Sequence, residues 1–172
     1  MDHQNLSAPW RMEYIRTLER PDGDACFLCL AAAATTPEER RRRLVLWTTD
    51  LTIVLINRYP YTNGHLLIAP RAHKADLELL TDDEHLDIQR QATESVRLLK
   101  RGVSAQGFNL GINIGRCAGA GLPGHVHQHV VPRWSGDTNF MSVVGEVRVV
   151  PQAMSQLYDE LMRARENALR ET

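Results

Sequence analysis

Apolar positions along this chain change their spacing several times, and each change marks an element. Residues 44–69 hold three short apolar runs, Leu44–Trp47, Leu51–Asn57 and His65–Ala69, bounded by turn formers. Short runs of this kind predict strands. Thr48-Thr49-Asp50 joins the first two. Tyr59-Pro60-Tyr61-Thr62-Asn63-Gly64, with its Asn-Gly hairpin signal, joins the second and third. An antiparallel meander follows, left at Pro70-Arg71-Ala72-His73. The spacing then turns helical. Thr81-Asp82-Asp83-Glu84 is a capping box with acids in the first turn, and Ile88, Ala92, Val96 and Leu99 follow on one face. This predicts an amphipathic helix lying on the sheet, with His85 on its first turn facing solvent. Phe108–Ile114 alternates again as a fourth strand, and Gly124–Pro132 as a fifth.

The ends of the chain are helical in pattern. Ser7 caps a segment with Pro9 in its first turn and Tyr14, Ile15 and Leu18 on one stripe, predicting a helix over 7–19, with Trp10 as a packing anchor. Arg20-Pro21-Asp22-Gly23-Asp24 stops it. After a short strand at Val147–Val150, Pro151 opens a last helix over 151–170 with Ala153, Leu157, Leu161, Ala164 and Ala168 aligned. The elements predict an α+β fold: an antiparallel sheet of about five strands, one main helix and a C-terminal helix. The length, 172 residues, suits one domain over 1–172, with its core at about 26–134.

Composition removes several function classes. The formal net charge is −1, so no bulk basic field draws nucleic acid or an anionic membrane. The four arginines Arg40–Arg43 stand beside Glu38 and Glu39 and read as a solvated segment. No apolar run approaches the ~20 residues a membrane span needs, and nothing resembles a signal peptide. Three cysteines, an odd number, do not read as a disulfide framework, so the chain is expected in the reducing cytoplasm.

The chemistry concentrates in Gly124-His125-Val126-His127-Gln128-His129-Val130-Val131-Pro132. On a strand, alternate side chains share a face, so His125, His127 and His129 form one row. Three imidazoles are poor core material, because each needs both a donor and an acceptor when neutral and repels its neighbours when charged. The row suits a metal, an anion or a reacting phosphate. A neutral imidazole attacks phosphorus without first losing a proton, and a second one can serve the leaving group. The loop before it, Gly115–Gly124, contains Gly119 and Gly121, whose main chain can approach phosphate closely. Cys26-Phe27-Leu28-Cys29 is half of a tetrahedral zinc site, equally consistent by itself with buried structural cysteines. His73 and His125 could complete it if the third and fifth strands lie antiparallel side by side.

The row His125-Val126-His127-Gln128-His129-Val130-Val131 resembles the signature of the histidine triad (HIT) superfamily. Asn57-Arg58-Tyr59-Pro60, Gly64-His65 and Pro70-Arg71-Ala72-His73 also fall where that family expects them, so the likeness covers about Cys26 to Trp134. It is nearest to bacterial diadenosine polyphosphate (Ap4A) hydrolases and phosphorylases. The resemblance implies the HIT fold and a homodimer whose sheets continue across the interface. It implies a purine nucleotide or dinucleoside polyphosphate as substrate. His127 would be the nucleophile at the α-phosphate, forming a covalent nucleotidyl-histidine. His129 would hold phosphate oxygens and assist the leaving group, and His65 would hydrogen-bond within the cluster. Asn57 would contact the ribose, and Asn113 the ribose or phosphates. From zinc-bearing branches, Cys26, Cys29, His73 and His125 would hold a structural Zn2+.

Two departures stand out. The loop Gly119-Ala120-Gly121-Leu122-Pro123-Gly124 lacks the Gln and Ser or Thr that many members use on phosphate, leaving backbone N–H groups for that task. Gln128 fills an often apolar position and is expected to hydrogen-bond behind the strand. Rival readings are an adenosine phosphoramidase with the same histidines, a purine-nucleotide-binding module with little turnover, and a nucleic-acid end-processing enzyme. The last lacks a basic strand-binding surface.

Overall fold

The computed structural model describes residues 26–137 and 153–171. The expected helix over 7–19, Trp10 and the strand at Val147–Val150 lie outside the described residues. The alternating runs form β1 (Val45–Thr48), β2 (Thr52–Ile56), β3 (Leu66–Pro70), β4 (Gly107–Ile112) and β5 (Gln128–Arg133). They make one antiparallel sheet in the order β1-β2-β3-β5-β4. The meander expected from the turns is present. β5 inserts between β3 and β4, and this insertion positions the site.

The period of two along each strand divides the sheet into two faces. Val54, Ile56, Leu66, Ile68 and Val130 face α3 (Asp82–Gly102) and α4 (Met154–Arg170), meeting Ile88, Ala92, Leu99, Leu157 and Leu161. Each fully buried Leu or Ile there contributes about 1.5–3 kcal/mol. The opposite residues, Ile53, Leu55, Leu67 and Ala69, pack on Leu28 and Ala31 of the short helix α1 (Phe27–Ala32). α1 is short, which leaves room on this face for the histidines: His129 pairs directly with Leu67 and shares its side of the sheet.

The main helix begins where its capping box predicts. Thr81 Oγ1 accepts the Glu84 N–H at 3.2 Å, and Glu84 Oε2 accepts the Thr81 N–H at 2.7 Å. Gln128 hydrogen-bonds behind the strand as expected, its Oε1 accepting from Gln89 Nε2 at 3.1 Å. The arginine run lies on α2 (Pro37–Arg42), which buries no side chain; Arg41 pairs with Asp159 of α4. No helix among the described residues is long and apolar enough to cross a membrane.

One expectation about the histidine row is corrected. The regular strand starts at Gln128, so His125 and His127 precede it and only His129 sits on β5. The reason lies in β3. Beyond the Ile68–Gln128 pair the ladder would need an N–H from Pro70, and proline has none. The segment lifts away, and Val126 N–H donates instead to the Lys74 carbonyl at 2.7 Å.

Candidate active site and metal centre

The end of β3 and the segment entering β5 bring together residues far apart in sequence. Cys26 precedes α1, Cys29 lies in its first turn, His73 follows β3 and His125 leads toward β5. Their four ligand atoms all lie within 4.8 Å of one another. His125 Nδ1 is 3.2 Å from Cys26 Sγ and 3.6 Å from Cys29 Sγ, and His73 Nδ1 is 3.2 Å from Cys29 Sγ. Tetrahedral zinc with its usual Zn–S and Zn–N bonds separates such ligands by about 3.5 Å. His125 Nε2 donates to the Pro70 carbonyl at 2.9 Å, which aims Nδ1 at the sulfurs. Burial opposes ionisation of Cys26, but its hydrogen bonds with His125 and Cys29 together prevail and bring the thiol down to about 6. Burial, then the neighbouring Cys26, raise Cys29. The donor set therefore fits zinc.

A second cluster begins two residues on. His127 Nδ1 lies 2.8 Å from the main-chain oxygen of His125. A carbonyl only accepts, so Nδ1 carries the proton and Nε2 holds the free lone pair. His65, fully buried, directly precedes β3. Its Nδ1 accepts the Tyr61 N–H at 3.1 Å and lies 3.2 Å from Asn57 Nδ2. His65 Nε2 therefore bears its proton and donates to His129 Nδ1 at 3.0 Å. That places the remaining His129 proton on Nε2, as a donor. The rings of His127 and His129 are 5.0 Å apart, edge to face. Burial, and then the charge of His127, hold His129 down to about 4; burial likewise lowers His127. The pair thus presents one unprotonated nitrogen beside one N–H donor, the complement of a phosphoryl centre and its oxygens.

The other expected nucleotide contacts fall on the turn before His65, at the end of β4 and in the glycine loop. Asn57 Oδ1 accepts the Tyr59 N–H at 3.0 Å, shaping the turn before His65. Asn113 follows Ile112, the β4 partner of Gln128, and so leaves the sheet at the level of His127. In the glycine loop, Gly119 takes a left-handed conformation (φ 84°) and donates its N–H to the Arg116 carbonyl at 3.0 Å. The Ala118 and Ala120 N–H groups turn onto the Gly115 carbonyl. The loop thus uses these three donors, that of Gly119 among them, on itself.

Three supports escaped the sequence: the carbonyls of Pro70 and Lys74, and Tyr61. Main-chain acceptors carry no residue signature. Tyr61 had one, an aromatic in a turn directly before a histidine, but its reach to His129 depends on how that turn folds.

The HIT domain family matches residues 39–136. The AP-4-A phosphorylase of Mycobacterium tuberculosis (strain H37Rv) is 33% identical over 88% of this chain and 78% of that protein. The asymmetrical bis(5'-nucleosyl)-tetraphosphatase of Schizosaccharomyces pombe is 32% identical over 54% of this chain and 50% of its own length. Among solved structures, a zinc-bound histidine triad family protein from Mycobacterium smegmatis superposes with a TM-score of 0.68 at 23% identity, covering 86% of this chain and 98% of that one. With the family matched across more than half the sequence, this chain belongs to the histidine triad family.

Proposed function

We propose that this protein cleaves dinucleoside polyphosphates, diadenosine tetraphosphate foremost, by nucleotidyl transfer through His127. The observation that carries the reading is the fixed tautomer pair: His127 Nε2 unprotonated, His129 Nε2–H beside it. In the first step His127 Nε2 forms a bond to the α-phosphorus. The bond from that phosphorus to the bridging oxygen breaks, and ATP leaves. His129 donates to a phosphate oxygen as charge develops. Asn57 and Asn113 take the ribose and phosphates, and Gly121 offers its N–H. In the second step an acceptor oxygen attacks the same phosphorus and the N–P bond breaks. Water as acceptor gives AMP, and inorganic phosphate gives ADP. Phosphate is favoured by likeness to the Mycobacterium tuberculosis protein.

Cys26, Cys29, His73 and His125 would hold zinc, which when bound would anchor His125 as a closed structural site. We read the chain as one domain that works in the cytoplasm as a homodimer. The support for a dimer is β4, an edge strand of the sheet among the described residues, with Leu110 45% exposed, which suits pairing with a second copy.

The test is incubation with diadenosine tetraphosphate, with and without inorganic phosphate, followed by product identification. ATP with ADP, dependent on phosphate, is expected; ATP with AMP in water assigns a hydrolase. No consumption of any dinucleotide would sink the reading.

A further inference from the structure

Beyond its main-chain N–H, the Tyr61 side chain has no role derived so far, yet its ring lies against both histidines of the relay. Its ring lies 4.7 Å from that of His65, at 33°, and 5.9 Å from that of His129, nearly parallel at 26°. Its own N–H sets the His65 tautomer. The turn that carries it is pinned at several points. Asn57 Oδ1 holds the Tyr59 N–H, and Thr62 Oγ1 donates to the Pro132 carbonyl of β5 at 2.9 Å. Gly64 closes the turn with φ 81°. Tyr61 is 39% exposed while His65 beneath it is fully buried, so the ring is the layer between solvent and the relay.

We propose that Tyr61 is a positioning residue for nucleotidyl transfer. Its ring clamps the His65–His129 pair and keeps water from the hydrogen bond between them. The chemistry needs such a clamp. His129 can donate from Nε2 only while its Nδ1 accepts from His65, and water reaching that bond offers either nitrogen a competing partner. Stacked aromatic contacts favour one relative orientation of the rings, which a flexible aliphatic side chain does not. A displacement of about 1 Å at a reacting group costs up to ~100-fold in rate. The role resides in the ring faces, so phenylalanine should replace tyrosine and leucine should not.

This inference rests on the proposed function, and the experiment separates the two. Wild type, Tyr61→Phe and Tyr61→Leu are compared for kcat, KM and the proton resonance of His65 Nε2–H. Tyr61→Phe is expected to keep both kcat and the resonance. Tyr61→Leu is expected to lose roughly 10- to 100-fold in kcat with KM little changed, and to lose the resonance by exchange with water. Thermal unfolding of both variants confirms that the fold persists. A resonance and kcat retained in Tyr61→Leu would overturn the proposal. So would a Tyr61→Phe variant as damaged as Tyr61→Leu, because the hydroxyl would then be the acting group. If wild type turns over no dinucleotide, the functional reading has failed, and the resonance alone still decides whether the ring shields the pair.

Discussion

His127 Nδ1 donates to the main-chain oxygen of His125 at 2.8 Å, so the ring that would attack phosphorus is oriented by the backbone of a metal-site residue. His125 in turn is held by Pro70 on one ring nitrogen and faces the cysteine sulfurs with the other. The Cys/His cluster and the His127–His129 pair are therefore joined through one peptide unit.

Metal removal should accordingly affect both stability and catalysis. Elemental analysis is expected to find about one zinc per chain. Chelation should lower the unfolding temperature and kcat together, because His125 loses its anchor and the His127 acceptor moves with it. His73→Ala removes the exposed ligand without touching the buried face and should weaken zinc retention first. Metal-free protein with unchanged unfolding and unchanged kcat would return the two cysteines to a purely packing role.

His127 and His129 should fail differently. His127→Gly removes the proposed nucleophile and should abolish covalent labelling by substrate. His129→Ala keeps that nucleophile and removes the proposed donor, and should reduce kcat by ~10²–10⁴-fold, the range for loss of a positioned proton donor. Trapping of labelled protein followed by single-turnover kinetics distinguishes them. Full turnover by His127→Gly would exclude the covalent route.

Asp87 ties the first hairpin to the main helix. Its Oδ2 accepts from Thr49 Oγ1 at 2.5 Å and Thr52 Oγ1 at 2.8 Å, and its Oδ1 from Gln91 Nε2 at 2.8 Å. Gln91 Oε1 accepts from Trp47 Nε1 at 2.8 Å. Asp87→Ala strands these donors and should destabilise the fold by about 1–3 kcal/mol. Urea unfolding measures the loss, and activity of the folded fraction should be retained.

Acid should destabilise the fold through Asp87 and Glu84. Burial opposes ionisation of each carboxylate, but hydrogen bonds, to Lys74 for Glu84 and to Thr49 for Asp87, outweigh it and leave both below their ordinary values. A carboxylate lowered in the folded state adds stability that is complete above its unfolded value of about 4. That stability is lost as pH falls through the folded value. Unfolding free energy should therefore be level near neutrality from these groups and drop below about pH 5. In Asp87→Asn the acid slope should be shallower.

Gly64 is set by two constraints at once. Its φ is 81°, and an added Cβ would stand 3.0 Å from Leu99 Cδ2 and 3.3 Å from Pro132 Cγ. Gly64→Ala should cost at least about 1–2 kcal/mol from backbone handedness alone. It should also shift the turn bearing Tyr61 and His65, so kcat should fall in protein that remains folded. An unchanged unfolding curve would show that the turn relaxes freely.

The amino-acid pattern by itself determined the elements and the chemistry available. Capping boxes, apolar spacing and turn residues act over a few positions, so the Thr81 helix start and the β1–β2–β3 meander were legible without any long-range contact. The histidine row and the Cys26–Cys29 pair were legible for the same reason. Only the tertiary structure decided how they divide. Cys29 meets His73 across 44 positions and His125 across 96, because β5 inserts beside β3, and no local pattern encodes strand order. The row itself reads as one strand face, but the missing N–H of Pro70 ends the ladder at Gln128 and sends Val126 to Lys74. His125 is thereby free to face the cysteines while its carbonyl holds His127. A proline 55 residues before His125 thus separates the Cys/His cluster from His127, since a hydrogen-bond ladder stops where a donor is lacking.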